Sequence, residues 1–183
     1  MEWIRVYEKL WYVLNSGALQ EGKKKIQPGK INILELGADD IATGEILAEL
    51  VLSYFWRICY YAKTKSSTGR LILVLDEFQH CSLKYQAILP RLLTEGRKFG
   101  IDLILATQTL GIFSREEKAL LEQPATRLYF KPAEAEMREL KKYDGERRKI
   151  LNGEINRLKR GECIANGELV VGKQLIRRPL LLT

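Results

Sequence analysis

The sequence predicts an α/β fold: a mostly parallel sheet flanked by helices, with a C-terminal antiparallel hairpin at one edge. Three observations carry that prediction. Leu71-Ile72-Leu73-Val74-Leu75 is an apolar run without alternation, the pattern of a parallel strand covered on both faces. A second buried strand, Ile101 to Thr107, follows after a helical stretch, as one strand–helix–strand crossover requires. Near the C-terminus, Gly161-Glu162-Cys163-Ile164-Ala165 and Glu168-Leu169-Val170-Val171 flank Asn166-Gly167, a strong hairpin signal.

The elements follow in order. Trp3, Tyr7, Leu10, Trp11 and Leu14 recur at spacings of three and four, predicting an amphipathic helix over 3–14. A basic, turn-rich linker with Glu21-Gly22-Lys23-Lys24-Lys25 and Gln27-Pro28-Gly29 comes next, so 1–29 is set apart from a main domain over 30–183. Ile31 to Leu36 reads as a strand, and Asp39 or Asp40 can cap a helix over 41–63 that should be largely buried. Beyond the Leu71–Leu75 strand the pattern gives a helix over 83–98, the Ile101–Thr107 strand, a helix over 114–122, a strand over 126–131 and a helix over 133–143. A basic helical stretch at 146–158 leads into the hairpin.

Composition narrows the class. The chain has 183 residues and 46% apolar content, enough for one buried core, and 29% charged residues argue against long disorder. Its formal charge of +7 suits a polyanionic partner such as DNA, RNA or nucleotide. Cys59, Cys81 and Cys163 are odd in number and form no CxxC pair, so neither a zinc knuckle nor a disulfide framework is indicated. His80, the single histidine, has no partner at metal-ligand spacing and reads as a loop or surface residue. No signal peptide is recognised, and the most apolar stretch, Ile46 to Ala62, carries Glu49 and Arg57, so no membrane span is expected. A cytoplasmic location follows, at the inner face of a membrane only through partners.

The chemistry concentrates where predicted strands end. Asp76 and Glu77 close the Leu71–Leu75 run at the sheet's carboxyl edge, where ligands bind in open α/β sheets. Two adjacent carboxylates there are costly unless a cation or a reaction uses them. Side chains diverge at a strand end, so Asp76 can hold water on Mg²⁺ while Glu77 orients the attacking water. Gln108 ends the next strand on the same edge, and a neutral amide there can accept from a water and donate to a γ-phosphate oxygen. Arg97, in the turn Glu95-Gly96-Arg97-Lys98-Phe99-Gly100, lies at the opposite end of that strand from Gln108; by position alone it reads as a partner of the preceding helix's C-terminal dipole, and it could also reach a site on an adjacent subunit rather than its own. No Gly-x-x-x-x-Gly-Lys-Ser/Thr phosphate cradle occurs; Gly22 to Gly29-Lys30-Ile31 has the wrong spacing, no hydroxyl residue and a strand behind it.

In order, these segments resemble the C-terminal half of a HerA/FtsK-type P-loop motor ATPase, the superfamily of HerA-like DNA translocases, conjugation coupling proteins and type IV secretion ATPases. The matching pieces are Lys30 to Leu36, the helix with Glu45-Ile46-Leu47-Ala48-Glu49-Leu50, Leu73-Val74-Leu75-Asp76-Glu77, Glu95 to Gly100 and Leu103-Ile104-Leu105-Ala106-Thr107-Gln108. The resemblance implies a RecA-like fold as part of a P-loop NTPase domain, with Asp76 and Glu77 as the Walker B acids and Asp76 on Mg²⁺ through water. It further implies Gln108 as the γ-phosphate-sensing glutamine, Arg97 as an arginine finger reaching the next subunit, and a homo-oligomeric ring, normally hexameric. The family couples ATP hydrolysis to movement of DNA or of a conjugative or secreted substrate. This chain departs from the pattern in lacking the Walker A half, so ATP and Mg²⁺ are expected to bind only with that half supplied.

Two alternatives remain beside the motor reading. A non-catalytic regulator or adaptor would dock on full-length motor subunits. Asp76-Glu77-Phe78-Gln79 also matches the Asp-Glu-x-Gln motif of superfamily 1 helicases, although the next strand ends Ala106-Thr107-Gln108 rather than in that family's Gly-Asp-x-x-Gln pattern. The basic stretch with Arg138, Lys141, Lys142, Arg147, Arg148, Lys149, Arg157, Lys159 and Arg160 can meet DNA phosphates, while Glu139, Glu146 and Glu154 allow helix-face ion pairs instead. Tyr54, Phe55, Trp56 and Phe99 read as core aromatics.

Overall fold

A computed structural model describes residues 25–36, 41–64, 69–143, 155–171, 174–176 and 180–182. Its described helices are α1 (Ile41–Thr64), α2 (Ile88–Glu95), α3 (Arg115–Leu120) and α4 (Glu134–Tyr143). The strands are β1 (Leu71–Leu75), β2 (Ile101–Leu105), β3 (Thr126–Phe130), β4 (Cys163–Gly167), β5 (Leu169–Val171), β6 (Gln174–Ile176) and β7 (Leu180–Leu182). The chain divides into two compact units: Met1–Leu73 with His80–Leu103, and Val74–Gln79 with Ile104–Thr183. Both β1 and β2 cross that division, after Leu73 and after Leu103.

In the first unit, α1 turns Leu47, Ala48, Leu52, Phe55 and Trp56 inward, a set spaced by three and four on one face. It packs on α2, where Leu89 and Leu92 are fully buried, and on the 3-10 turn Gly96–Phe99. The Phe99 ring meets Trp56 edge-on at 4.8 Å and Tyr60 at 5.3 Å, and the Arg91 guanidinium lies 4.6 Å over Trp56. Glu49 reaches from α1 to accept the Ile88 N–H at 2.6 Å, satisfying an orphan donor at the start of α2. At the start of β2, Gly100 sits at φ +75°, and a Cβ there would come 2.9 Å from the Gly69 carbonyl oxygen. Only glycine fits the tight entry that lets Leu71 N–H donate to Gly100 C=O at 2.9 Å.

The second unit holds the antiparallel sheet β3-β4-β7, with Phe130 opposite Cys163 and Cys163 opposite Leu182. Its core gathers Tyr129, Ile155, Leu158 and Ile164, with Met137 of α4 packed against them. Helix α3 opens on a reciprocal capping box in which Ser114 and Glu117 satisfy each other's backbone N–H.

The α/β class stands: β1 and β2 form the parallel pair, helices accompany it, and β5–β6 is an antiparallel C-terminal hairpin. Several details differ from expectation. Ile31 to Leu36 is not a strand; it has no ladder partner among the described residues and Ile31 is 94% exposed, since β-forming residues extend only where a neighbour pairs with them. The Asn166-Gly167 turn does not pair β4 with β5. Gly167 extends β4 opposite Thr126 instead, in a positive-φ conformation where a Cβ would run into the Ala125 carbonyl. The helix expected over 83–98 begins only at Ile88. Helix α1 is not largely buried, for Leu50, Tyr54, Ile58 and Tyr61 form a bare stripe, which also removes Tyr54 from the core. Strand β1 is not covered on both faces, since Ile72 and Val74 are each more than 60% exposed. The helix over 3–14, the caps Asp39 and Asp40, and most of the basic stretch lie outside the described residues. No helix among the described residues is long and apolar enough to cross a membrane.

Candidate functional site

Beyond the end of β1 the chain turns sharply at Glu77, which sits at φ +53°, the single non-glycine residue with positive φ among those described. The left-handed conformation costs a side-chain-bearing residue about 1–2 kcal/mol, so it persists only where surrounding bonds impose it. Those bonds are visible. The Glu77 N–H donates to Asp76 Oδ1 at 3.0 Å, and the next N–H, of Phe78, donates to Ala106 C=O at 3.0 Å. Ala106 N–H donates in turn to Leu75 C=O at 2.9 Å, so the two strand ends stay stitched together into their loops. Phe78 then stacks on Phe113 with ring centroids 5.5 Å apart and planes within 7°, both rings buried.

The turn presents the Glu77 carboxylate to two amides. Gln108 Nε2 donates to Oε1, and Gln79 Nε2 donates to Oε2. Gln79 Oε1 accepts from Thr107 Oγ1 at 2.6 Å, and the same hydroxyl lies 2.9 Å from Thr109 C=O. Thr107 Oγ1 also accepts the Thr109 N–H at 3.2 Å, closing a side-chain turn around Gln108. Thr109 Oγ1 donates to Glu136 Oε1 at 2.5 Å, and Leu110 N–H donates to Glu136 Oε2 at 2.8 Å. The loop that carries Gln108 is thereby fastened to the first turn of α4.

Thus Glu77 and Gln108, predicted to share a sheet edge, touch. Asp76 adjoins them and is exposed. Arg97 lies in the first unit, exposed on its 3-10 turn. Lys141 and Lys142 fall in α4 but their side chains, like all of Arg147 and Arg148, lie outside the described residues. Sequence reasoning missed three contributors. Gln79 entered only as part of a rival motif, although its position two residues beyond Glu77 was the available signal. Thr109 and Glu136 gave none, since their contact spans 27 residues.

The residues present fit a hydrated metal ion better than a directly bound one. Among the described residues no group of three or more His, Cys, Asp or Glu side chains could hold a metal, so Asp76 offers a single solvent-facing carboxylate. A cysteine nucleophile is disfavoured near Cys81: burial, then Glu49 and Glu45, pushes its thiol above the usual range.

No protein-family model matches the chain, and no curated protein matches it. Among solved structures it is similar to the genome-packaging NTPase B204 of Sulfolobus turreted icosahedral virus 2, in complex with AMPPCP. That match has 19% identity and a TM-score of 0.50, over 65% of this chain and 56% of that one. It is also similar to B204, the DNA-packaging ATPase of Sulfolobus turreted icosahedral virus, at 18% identity and a TM-score of 0.51, with the same coverage. The likeness is one of fold, an α/β arrangement shared with packaging NTPases, and the chain spans 56% of the length of these neighbours.

Proposed function

We propose that this chain carries the hydrolytic side of an ATP-driven, HerA/FtsK-like motor that moves DNA. The observation that carries the reading is the contact between Glu77 and Gln108 past the ends of two parallel strands. A carboxylate beside a neutral amide, with a second carboxylate next to it, provides each role that phosphoryl transfer asks of this side of a site. Mg·ATP, when bound, supplies the phosphoryl group and the neutralising charge. Asp76 would hold the ion through water. Glu77 keeps lone pairs beyond those taken by Gln79 and Gln108, and these would orient the attacking water. Gln108 has a second amide hydrogen, so it can keep Glu77 and still donate to a γ-phosphate oxygen. The ATP analogue in one of the similar structures, a genome-packaging NTPase, and the DNA-packaging role of the other support the substrate and the cargo.

On this reading residues 30–183 are the C-terminal part of the ATPase domain, 1–29 a separate helix and linker, and the phosphate cradle comes from a segment outside these 183 residues. Subunits form a homo-oligomeric ring in which Arg97 serves a neighbour, and α4 with its basic continuation meets DNA phosphates. The absence of a cradle also favours a second reading, a non-catalytic subunit that docks on complete motor subunits. One substitution separates the two. With the phosphate-binding half supplied, Glu77→Gln should cut hydrolysis by about 100-fold or more while Mg·ATP binding, followed by calorimetry, is kept. Unchanged turnover would defeat the motor assignment and leave the docking role.

A further inference from the structure

The three backbone N–H groups that directly follow Gln108, those of Thr109, Leu110 and Gly111, are each held by a side chain. Thr107 Oγ1 takes the Thr109 N–H at 3.2 Å, Thr109 Oγ1 takes the Gly111 N–H at 3.3 Å, and Glu136 takes the Leu110 N–H at 2.8 Å. Loops stabilised this way keep one shape only while the side chains stay in register. Glu136 differs from the threonines because it comes from another element. It is in the first turn of α4, and its two oxygens take two donors from consecutive residues, a charge-assisted, two-pronged grip. From Thr109 the contacts run without a break through Thr107 and Gln79 to the Glu77 carboxylate.

We propose that Glu136 is a positioning residue for the Glu77–Gln108 pair, acting from α4 through Thr109, Thr107 and Gln79. The assignment deepens the motor reading and rests on it for its purpose, but the coupling itself needs no nucleotide. Gln108 has Thr107 and Thr109 as its chain neighbours, so a loop released from α4 lets its amide leave Glu77. Glu77, already in a left-handed conformation, then loses one of the two amides that orient its carboxylate. A change in α4 would reach the water-orienting group by the same route.

The test is nuclear magnetic resonance on the full chain without nucleotide, following the Leu110 N–H and the side-chain amides of Gln79 and Gln108. Glu136→Ala should speed exchange of the Leu110 N–H by about tenfold, the size of one lost charge-assisted bond. It should also shift both side-chain amides. Glu136→Gln keeps one acceptor oxygen and should return part of each change. Thr109→Val, which keeps the shape and removes only the hydroxyl, should move the Gln108 and Gln79 amides even if Glu136→Ala folds poorly. A merely local clamp would alter Leu110 and leave the Gln79 amide still; that result, or unmoved amides in Thr109→Val, overturns the proposal. Failure of the motor reading shows elsewhere, as undiminished hydrolysis in Glu77→Gln, and leaves these resonances as they are.

Discussion

At Glu77 the backbone and the side chain make opposing demands. The φ of +53° favours glycine, whereas the carboxylate held between Gln79 and Gln108 requires a long acidic side chain. A glutamate where glycine would be easier marks the carboxylate as a candidate functional group. The backbone half of that statement can be isolated by comparing Glu77→Gly with Glu77→Ala, which both delete the carboxylate and differ in Cβ. The glycine variant should be the more stable by about 1 kcal/mol in urea denaturation, because alanine still pays for the left-handed conformation. An alanine variant as stable as the glycine one would mean that the turn relaxes once the carboxylate is gone. The strain would then come from the side-chain bonds rather than from the Leu75–Ala106 and Phe78–Ala106 stitching.

Among the elements, the stacked pair Phe78 and Phe113 joins the short 3-10 turn after Glu77 to the segment ahead of α3. Both rings are under 8% exposed, so Phe113→Ala should cost about 3 kcal/mol or more, read as a lowered urea midpoint at unchanged slope. A loss below 1 kcal/mol would show that the stack is not holding the turn. Such contacts explain what the sequence could and could not reveal. The placing of Asp76, Glu77 and Gln108 just past strand ends was legible because each lies within three residues of an apolar run, and a strand's end is a local property. The clamp of Thr109 by Glu136 was not legible, because it depends on where α4 starts relative to a loop 27 residues earlier. The same distinction accounts for the C-terminal strands. Asn166-Gly167 signals a turn to its immediate neighbours, but β4 gains more by pairing with β3 on one side and β7 on the other. Ile31 to Leu36 has strand composition without a strand to pair with among the described residues, so its pattern alone decided nothing.

At the scale of the whole molecule, Arg97 differs from the other described arginines of its unit that have partners. Two other arginines of the first unit are occupied: Arg70 grips Asp102 with both of its forks at 2.6–3.0 Å, and Arg91 covers Trp56 while lying 3.8 Å from Glu95. Arg97 makes no ion pair among the described residues and stands exposed on a turn fixed by Phe99 beneath it and by the left-handed Gly100 behind it. A packed turn carrying an exposed guanidinium with no ion pair among the described residues suits a role in another subunit's site, where an arginine can be worth about 10³–10⁵ in rate. Complementation tests this without a structure of the ring. With the phosphate-binding half supplied, Arg97→Ala and Glu77→Gln chains should each be nearly inactive alone. Mixed at equal amounts, a head-to-tail ring gives about one interface in four with an intact Glu77 on one side and an intact Arg97 on the other. Hydrolysis should then recover to about a quarter of the wild-type rate, rising and falling with the mixing ratio. An arginine acting within its own chain predicts no recovery at any ratio, since every chain then lacks one of the two groups. Mixed rings confirmed by mass would make that outcome decisive against the trans role, while leaving Asp76, Glu77 and Gln108 as they stand.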